Sequence, residues 1–373
     1  MEKSLKILES LSANYLIKTS GVKHINIDKI EFYAQNLFEK YINKYKWINQ
    51  NTNHDVLFIF FKTIYFNYND KISDVLSCFN FYKNAYSEIL IKFPFPDYVM
   101  LLPAMLSGYN YTHTSEKGAG MWRLQYIVAK RYKLDVDDFI DQRLNPMLST
   151  ITALKYLESL MTLYDDNFDY ALFAFLSSPV ALNNSLANID DDDDVSFYDN
   201  LPKEVILDFH FFKALVLYYY LHENLNILTS FLKYDKKTET VDVRFDFYIK
   251  PFILNLDLDS DEFVFLNPEL KSKTFQKKTH IVLPSDIAEI FHIKEADLKL
   301  LMDSLINDEL TKKELIKNTV NETIYHTVKR GETLSQIAAK YDDVTVNEIV
   351  RLNGLKSADV IKEGQKLIIK KGK

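Results

Sequence analysis

Tyr325-His326-Thr327-Val328-Lys329-Arg330-Gly331-Glu332-Thr333-Leu334-Ser335-Gln336-Ile337-Ala338 decides the fold of the C-terminal end. Tyr325 to Val328 alternates in polarity as a short strand does. The chain then turns at Gly331, and Thr333 is placed to cap a helix, with Gln336 completing a capping-box pattern. Leu334, Ile337, Ala338 and Tyr341 recur at helical spacing and form a buried stripe. Val344 and Thr345 bridge to a second helix that carries Val346, Ile349, Val350 and Leu352 inward. Asn353-Gly354 ends it, since a left-handed residue closes helices. Ile361, then Gly364-Gln365, then Leu367-Ile368-Ile369 return as a second strand. The pattern predicts a βααβ unit over 324–373.

Upstream the period changes. Apolar residues recur at helical spacing in Ile30–Tyr45, Val56–Phe66, Ile72–Ile91, Met121–Tyr132 and Ile151–Leu163, punctuated by Pro94, Pro96, Pro103, Pro146 and Pro179. Asp97 reads as an N-cap of the segment leading to Pro103. The acidic run Asp190–Asp194 reads as a solvated connector, because contiguous Asp residues lack ligand spacing. A further helix follows Leu201-Pro202 through Phe209–His222. Thr238–Tyr248 then alternates as a strand, a compact helix and the turn Leu266-Asn267-Pro268-Glu269-Leu270 follow, and His280–Leu283 is a strand. The expected regions are 1–74 (N-terminal helices), 75–235 (helical domain), 236–285 (small α+β unit), 286–323 (helical linker) and 324–373 (βααβ domain). The fold class is mainly α with small α+β modules.

Composition agrees. Of 373 residues, 47% are hydrophobic and 26% charged, which is globular rather than disordered. Eight Gly against 24 Tyr and 26 Phe argues for helices with few tight turns. The one cysteine, Cys78, lies in an apolar run and reads as a buried thiol, so no internal disulfide forms. No run is apolar enough to span a bilayer. The start MEKSLKILESLSANYL lacks the uninterrupted apolar core of a signal peptide. No metal or cofactor site is expected.

The C-terminal residues resemble the LysM family: Tyr325-x-x-Val328-x-x-Gly-x-Thr-Leu-x-x-Ile-Ala338, then Ile349-x-x-x-Asn353, then Ile361-x-x-Gly-Gln-x-Leu367. The resemblance implies a shallow groove for N-acetylglucosamine units of peptidoglycan or chitin, between the loop after the first strand and the loop before the second. The positions it assigns to the groove are Gly331, Glu332, Thr333, Leu334, Asn353, Gly354, Leu355 and Ile361. Backbone amides there suit acetamido groups, and Leu and Ile suit the methyl. The end from Tyr325 holds ten Lys or Arg against six Asp or Glu, a net +4 beside −11 for the rest of the chain, whose total is −7. No aromatic-interleaved basic groove accompanies these charges, so nucleic acid is not expected, and an anionic wall polymer is the better match for Lys366, Lys370, Lys371 and Lys373.

The central region resembles relatives of lytic murein transglycosylase D, which have a lysozyme-like fold. The carrying residues are Leu102-Pro103-Ala104-Met105-Leu106-Ser107-Gly108-Tyr109, the turn Gly118-Ala119-Gly120-Met121-Trp122, Asp141-x-Arg143-x-x-Pro146, Ser149-Thr150, Tyr156-Leu157, Leu201-Pro202-x-Glu204 and Leu266-Asn267-Pro268-Glu269-Leu270. The resemblance implies a lysozyme-like helical body, and a degenerate LysM-like unit at 236–285.

The departures cluster at the chemistry. The family's catalytic Glu position is Leu106, which exchanges no proton; loss of general acid–base chemistry costs about 10²–10⁴-fold. The family's Gln after the Trp is Arg123, its Pro and Thr are Tyr126 and Val128, and its Ala-Tyr-Asn is Ala174-Phe175-Leu176. The expected catalytic residue is therefore none, with Glu116 in the following loop as the fallback acid. Three functions follow. One is a non-catalytic peptidoglycan-binding protein, periplasmic or outer-envelope associated as the resemblance implies, that docks an envelope partner. Another is an active lytic transglycosylase using Glu116. The third is a lectin-like cleft in which Tyr109, Trp122 and Phe175 stack on sugars, with core packing the simpler account of those rings.

Overall fold

The computed structural model describes residues 5–8, 31–42, 44–49, 52–187, 201–275, 278–321, 323–341, 344–355 and 361–370. The acidic run Asp190–Asp194 lies outside them. The chain forms two compact units, Met1–Ile293 and Lys294–Lys373.

The first unit is helical. Its early helices are α1 (Glu31–Ile42), α2 (His54–Asn67) and α3 (Asn69–Ala85). The short α4 (Leu102–Ser107) is followed by a tight hairpin of β1 (Thr114–Ser115) and β2 (Gly118–Ala119), then α5 (Tyr126–Arg131). Helices α6 (Pro146–Leu163), α7 (Phe168–Leu176), α8 (Pro179–Ala187) and α9 (Lys203–Leu221) complete the body. Residues Phe209 to Tyr218 of α9 are all buried. A helix apolar on every side must lie inside a core rather than on its surface. α9 packs on α2 and α7, where Phe60 stacks on Phe211 and Phe61 on Tyr218. Lys213 is buried there too, donating to Thr52 Oγ1 at 2.9 Å and lying over the Trp47 and Phe209 rings. Burial pushes its ammonium down to about 8, against the opposing pull of Asp169. Cys78 is buried, and burial pushes its thiol up.

Three local expectations are corrected. The helix read over Met121–Tyr132 begins only at Tyr126, because Arg123 has φ 47°, which no right-handed helix contains. The helix read over Ile72–Ile91 spans Asn69–Ala85 and is broken at Tyr86. Asp97 caps nothing: it is the first residue of a 3-10 turn, and its Oδ2 accepts from Lys83 Nζ at 3.4 Å and the Tyr219 hydroxyl at 3.0 Å.

After α9 comes a small βααβ arrangement. β3 (Thr238–Val243) and β6 (Thr279–Pro284) pair antiparallel, with Val241 opposite Ile281. Between them lie β4 (Phe247–Tyr248), α10 (Ile249–Asn255), α11 (Ser260–Leu266) and β5 (Thr274–Phe275). β4 and β5 pair, joining the loop after the first strand to the loop before the last. The polar stretch that follows forms α12 (Ser285–Asn321).

The C-terminal module is β7 (Ile324–Thr327), α13 (Leu334–Ala338), α14 (Val346–Leu352) and β8 (Lys366–Lys370). The strands pair antiparallel, and Val328, Leu334, Ile337, Ile349, Leu367 and Ile369 form a core of their own. Thr333 caps α13 through a full capping box with Gln336, and Thr345 caps α14 likewise with Glu348. The fold is therefore mainly α: a lysozyme-like helical body, a LysM-like unit, and a C-terminal βααβ domain.

Candidate functional site

The body carries an open cleft of about 970 Å³. Its floor is built from α4 and the turn after β2. α4 ends at Gly108 in the left-handed conformation, and Ser107 Oγ donates to Met121 O at 2.8 Å. The Tyr109 hydroxyl donates to Met100 O at 2.6 Å, and its ring stacks on Tyr82. Trp122 is buried, and its indole N–H donates to Thr150 Oγ1 at 2.9 Å. Gly118 and Gly120 make this turn possible. A Cβ at Gly118 would lie 2.0 Å from Arg123 O, and one at Gly120 would lie 1.8 Å from Arg143 O. The Asp141–Arg143 motif holds the other side. Both Asp141 oxygens accept from Arg143, at 2.9 and 2.7 Å, and Asp141 also accepts from the Arg143 backbone N–H. Arg143 Nη1 reaches Leu124 O at 3.2 Å.

Leu106 lines this cleft, and so do Arg123, Tyr126, Val128, Phe175 and Leu176. Six positions at which the chain departs from the transglycosylase pattern thus share one cavity. Phe175 lies near Trp122 and Tyr156, giving the wall an aromatic cluster. Tyr109 and Trp122 belong to the core instead, being 0% and 1% exposed.

Glu116 also lines the cleft, in the two-residue turn of the hairpin where Ser115 pairs with Gly118. It is exposed. Sequence reasoning missed two further carboxylates on the cleft, Glu204 and Asp208 of α9. Their spacing of one helical turn, interrupting a run that is otherwise largely apolar, was the available signal. Lys117 Nζ meets Glu204 Oε2 at 3.1 Å, both groups in solvent. His113 is pushed down by burial and by Arg123.

The second candidate site is the C-terminal module. Gly331 and Gly354 have φ 80° and 60°, with open space where a side chain would project. Thr333 is exposed, and Leu355 and Ile361 are half-buried against the module core. Leu334 is only 1% exposed and supports the loop from beneath. Asn353 is a clamp: its Nδ2 donates to Ile349 O and Ile368 O, and its Oδ1 accepts from Ile368 N at 2.7 Å. Glu332 turns onto its own module. Oε2 accepts from His326 Nε2 and the Lys329 backbone N–H, each at 2.8 Å, and Oε1 accepts from Lys340. His326 Nδ1 lies 2.9 Å from the Tyr341 hydroxyl, which fixes the ring between Glu332 and Tyr341. Lys340, His326 and the Lys329 N–H hold the Glu332 carboxyl down to about 2.

Together these features define a lysozyme-like helical domain with an open cleft, followed by a separate LysM module. Comparison with known families agrees: residues 95–195 match the transglycosylase SLT domain, and residues 326–370 match the LysM domain. This pair of domains fits a LysM-containing lytic transglycosylase scaffold. A comparison with curated proteins finds no match. Among the described residues, no helix is long and apolar enough to cross a membrane.

Proposed function

We propose that this chain binds peptidoglycan without cleaving it, and that it serves in the cell envelope, periplasmic or outer-envelope associated, as a wall anchor that docks a protein partner. The observation that carries this reading is the convergence of Leu106, Arg123, Tyr126, Val128, Phe175 and Leu176 on one cleft. The Gly118–Trp122 turn and the Asp141–Arg143 motif keep the transglycosylase pattern, while these six cleft positions depart from it. Leu106 is buried and exchanges no proton, so the acid–base step has no agent at the position where the resemblance puts it. The LysM module keeps the residues that the resemblance places in its groove. Its N-acetylglucosamine contacts are assigned to Gly331, Thr333, Gly354, Leu355 and Ile361, with Leu334, Glu332 and Asn353 positioning the loops.

The test is incubation of the full chain with purified sacculi. Sedimentation with the sacculi and no release of anhydro-muropeptides are expected. Release of anhydro products, abolished by Glu116→Gln, would overturn the non-catalytic reading. Absence of sedimentation would overturn the wall-binding one.

A further inference from the structure

The outer face of the C-terminal module's sheet takes no part in the sugar groove. Along β8, Leu367 and Ile369 point into the core, so Lys366, Ile368 and Lys370 point away from it. On β7, Tyr325 lies opposite Ile368 and Thr327 opposite Lys366, which sets them on the same outer face. Ile324 pairs with Lys370 across an irregularity at the start of the strand. The face is open to solvent: Ile324 is 39% and Tyr325 50% exposed, and both lysines are exposed. Lys366 Nζ stands 4.4 Å from the centre of the Tyr325 ring. Among the described residues, neither lysine forms an ion pair. Glu332 is engaged by His326 and Lys340. Glu348, which Lys370 influences from a distance, is held at the cap of α14 by Thr345.

Four lysines fall within the eight residues from Lys366 to Lys373, and the stretch from Tyr325 is net +4. A cationic face calls for an anionic partner, but charge alone does not account for Ile324 and Tyr325. A soluble polyanion would pair with the lysines and leave those two side chains in water. An anionic phospholipid surface meets both. Its phosphates take the ammonium groups, and its headgroup boundary takes an aliphatic side chain and a tyrosine ring. We propose that this sheet face seats the module on an anionic phospholipid membrane, with Lys366 and Lys370 on lipid phosphates and Ile324 and Tyr325 in the interface. The loops assigned to sugar leave the sheet at its Thr327–Lys366 end, whereas Ile324 and Lys370 stand at the opposite end. The module can therefore hold glycan and lipid at once. The lipid contact goes beyond the wall-binding reading and stands apart from it; with both, the chain links the wall to a membrane.

Co-sedimentation of the full chain with lipid vesicles tests it. Vesicles of phosphatidylglycerol and phosphatidylethanolamine should carry the chain down despite its net charge of −7, and vesicles of phosphatidylcholine should not. Added salt should release it, because salt screens the phosphate contacts. The double variant Lys366→Gln, Lys370→Gln should bind about ten- to thirty-fold more weakly. Ile324→Ser combined with Tyr325→Ser should lose about five- to tenfold, and Tyr325→Trp should keep wild-type binding. A thermal melt, and a titration with chitotetraose (a neutral N-acetylglucosamine oligomer), should match wild type in each variant and so exclude misfolding. Absence of binding to the phosphatidylglycerol vesicles would overturn the proposal, as would equal binding to phosphatidylcholine or an undiminished lysine variant. A lysine variant that fails while the Ile324, Tyr325 variant binds as wild type would overturn the lipid assignment in favour of a soluble polyanion. Absence of sacculus binding by the wild type would instead overturn the wall reading and leave the vesicle comparison intact.

Discussion

The chain builds one small topology twice and uses it differently. In the unit at 238–284 and in the module at 324–370, two antiparallel strands enclose two short helices. Each second helix ends on an asparagine that makes the same hydrogen bonds. Asn267 donates to Phe263 O and Val282 O and accepts from Val282 N, as Asn353 does with Ile349 and Ile368. What differs is the pair of loops. In the earlier unit they are zipped by β4 and β5, with Phe247 stacked on Phe275. The stretch after its asparagine is also occupied: Lys271 N donates to Phe139 O, and Asp141 N donates to Glu269 O. In the module no strand joins the corresponding loops among the described residues. The asparagine is therefore a demand of the topology, and the sugar is a matter for the loops.

The largest expected effect is on that shared clamp. Asn267 is 2% exposed, so Asn267→Ala leaves the Val282 N–H and C=O without their partners in a dry site, while Phe263 O keeps the Asn267 backbone N–H, at a cost of about 3–5 kcal/mol. Asn353 is half-buried, and water can reach part of its site, so Asn353→Ala should cost about 2–3 kcal/mol. Denaturant unfolding of the full chain should show Asn267→Ala lowering the transition of the body. Asn353→Ala should lower that of the module and remove sacculus binding. If both variants moved one common transition, the energetic independence of the two units would be refuted.

A second contrast falls on equivalent positions, since Phe275 and Ile361 each stand eight residues after their asparagine. Phe275 is 3% exposed and packs on Phe247 and Phe139. Truncation to Ala should destabilise by about 3 kcal/mol through the cavity it leaves, with glycan binding untouched. Ile361 is half-buried, so Ile361→Ala should cost about 1 kcal/mol and weaken chitotetraose binding instead. A thermal melt and a chitotetraose titration of each variant would separate the two roles; a binding defect in Phe275→Ala would break the comparison.

These particulars mark what the sequence made legible. The capping box at Thr333, the Asn353-Gly354 terminus and the period-two strands are local, so they could be read directly, and Asn267-Pro268 flagged the earlier unit. The zipper was not readable, because β4 and β5 are two residues each and carry no period. The departures at Leu106 and Arg123 were visible one by one. Their convergence with Phe175 on one cavity required tertiary packing. The helix misread through Arg123 shows the same limit: its left-handed φ belongs to a turn in which Arg123 O lies against Gly118 and Arg123 N–H donates to Gly120 O, contacts that its own sequence window does not announce.

A smaller effect is expected at the module's helix start. Thr333→Ala removes the cap on Gln336 N and should cost about 1 kcal/mol. The first helix of the earlier unit, α10, has no side-chain cap at Tyr248 and leans on the zipper instead. Thermal denaturation should therefore find the module more sensitive to Thr333→Ala than the earlier unit is to Tyr248→Ala at the cap itself.

The smallest and most specific effect concerns Glu332, which ties the module's first loop to His326 of β7 and to Lys340 just past α13. Its carboxyl, held at about 2, has a usual value near 4.5. A carboxylate depressed by folding contributes stability above its usual value and loses it as the pH falls from there toward the folded value. The loop should accordingly loosen between about pH 4.5 and 2. Half of the Lys340 side chain is in solvent, so salt should weaken the same contribution. Chitotetraose, which has no carboxylate to titrate, is the suitable probe. Its affinity should decline through that window in the wild type, while Glu332→Gln should bind more weakly at neutral pH and show a flatter profile. An unchanged acid profile in Glu332→Gln would mean that the loop is set by its backbone alone, as the earlier unit's is by its strands.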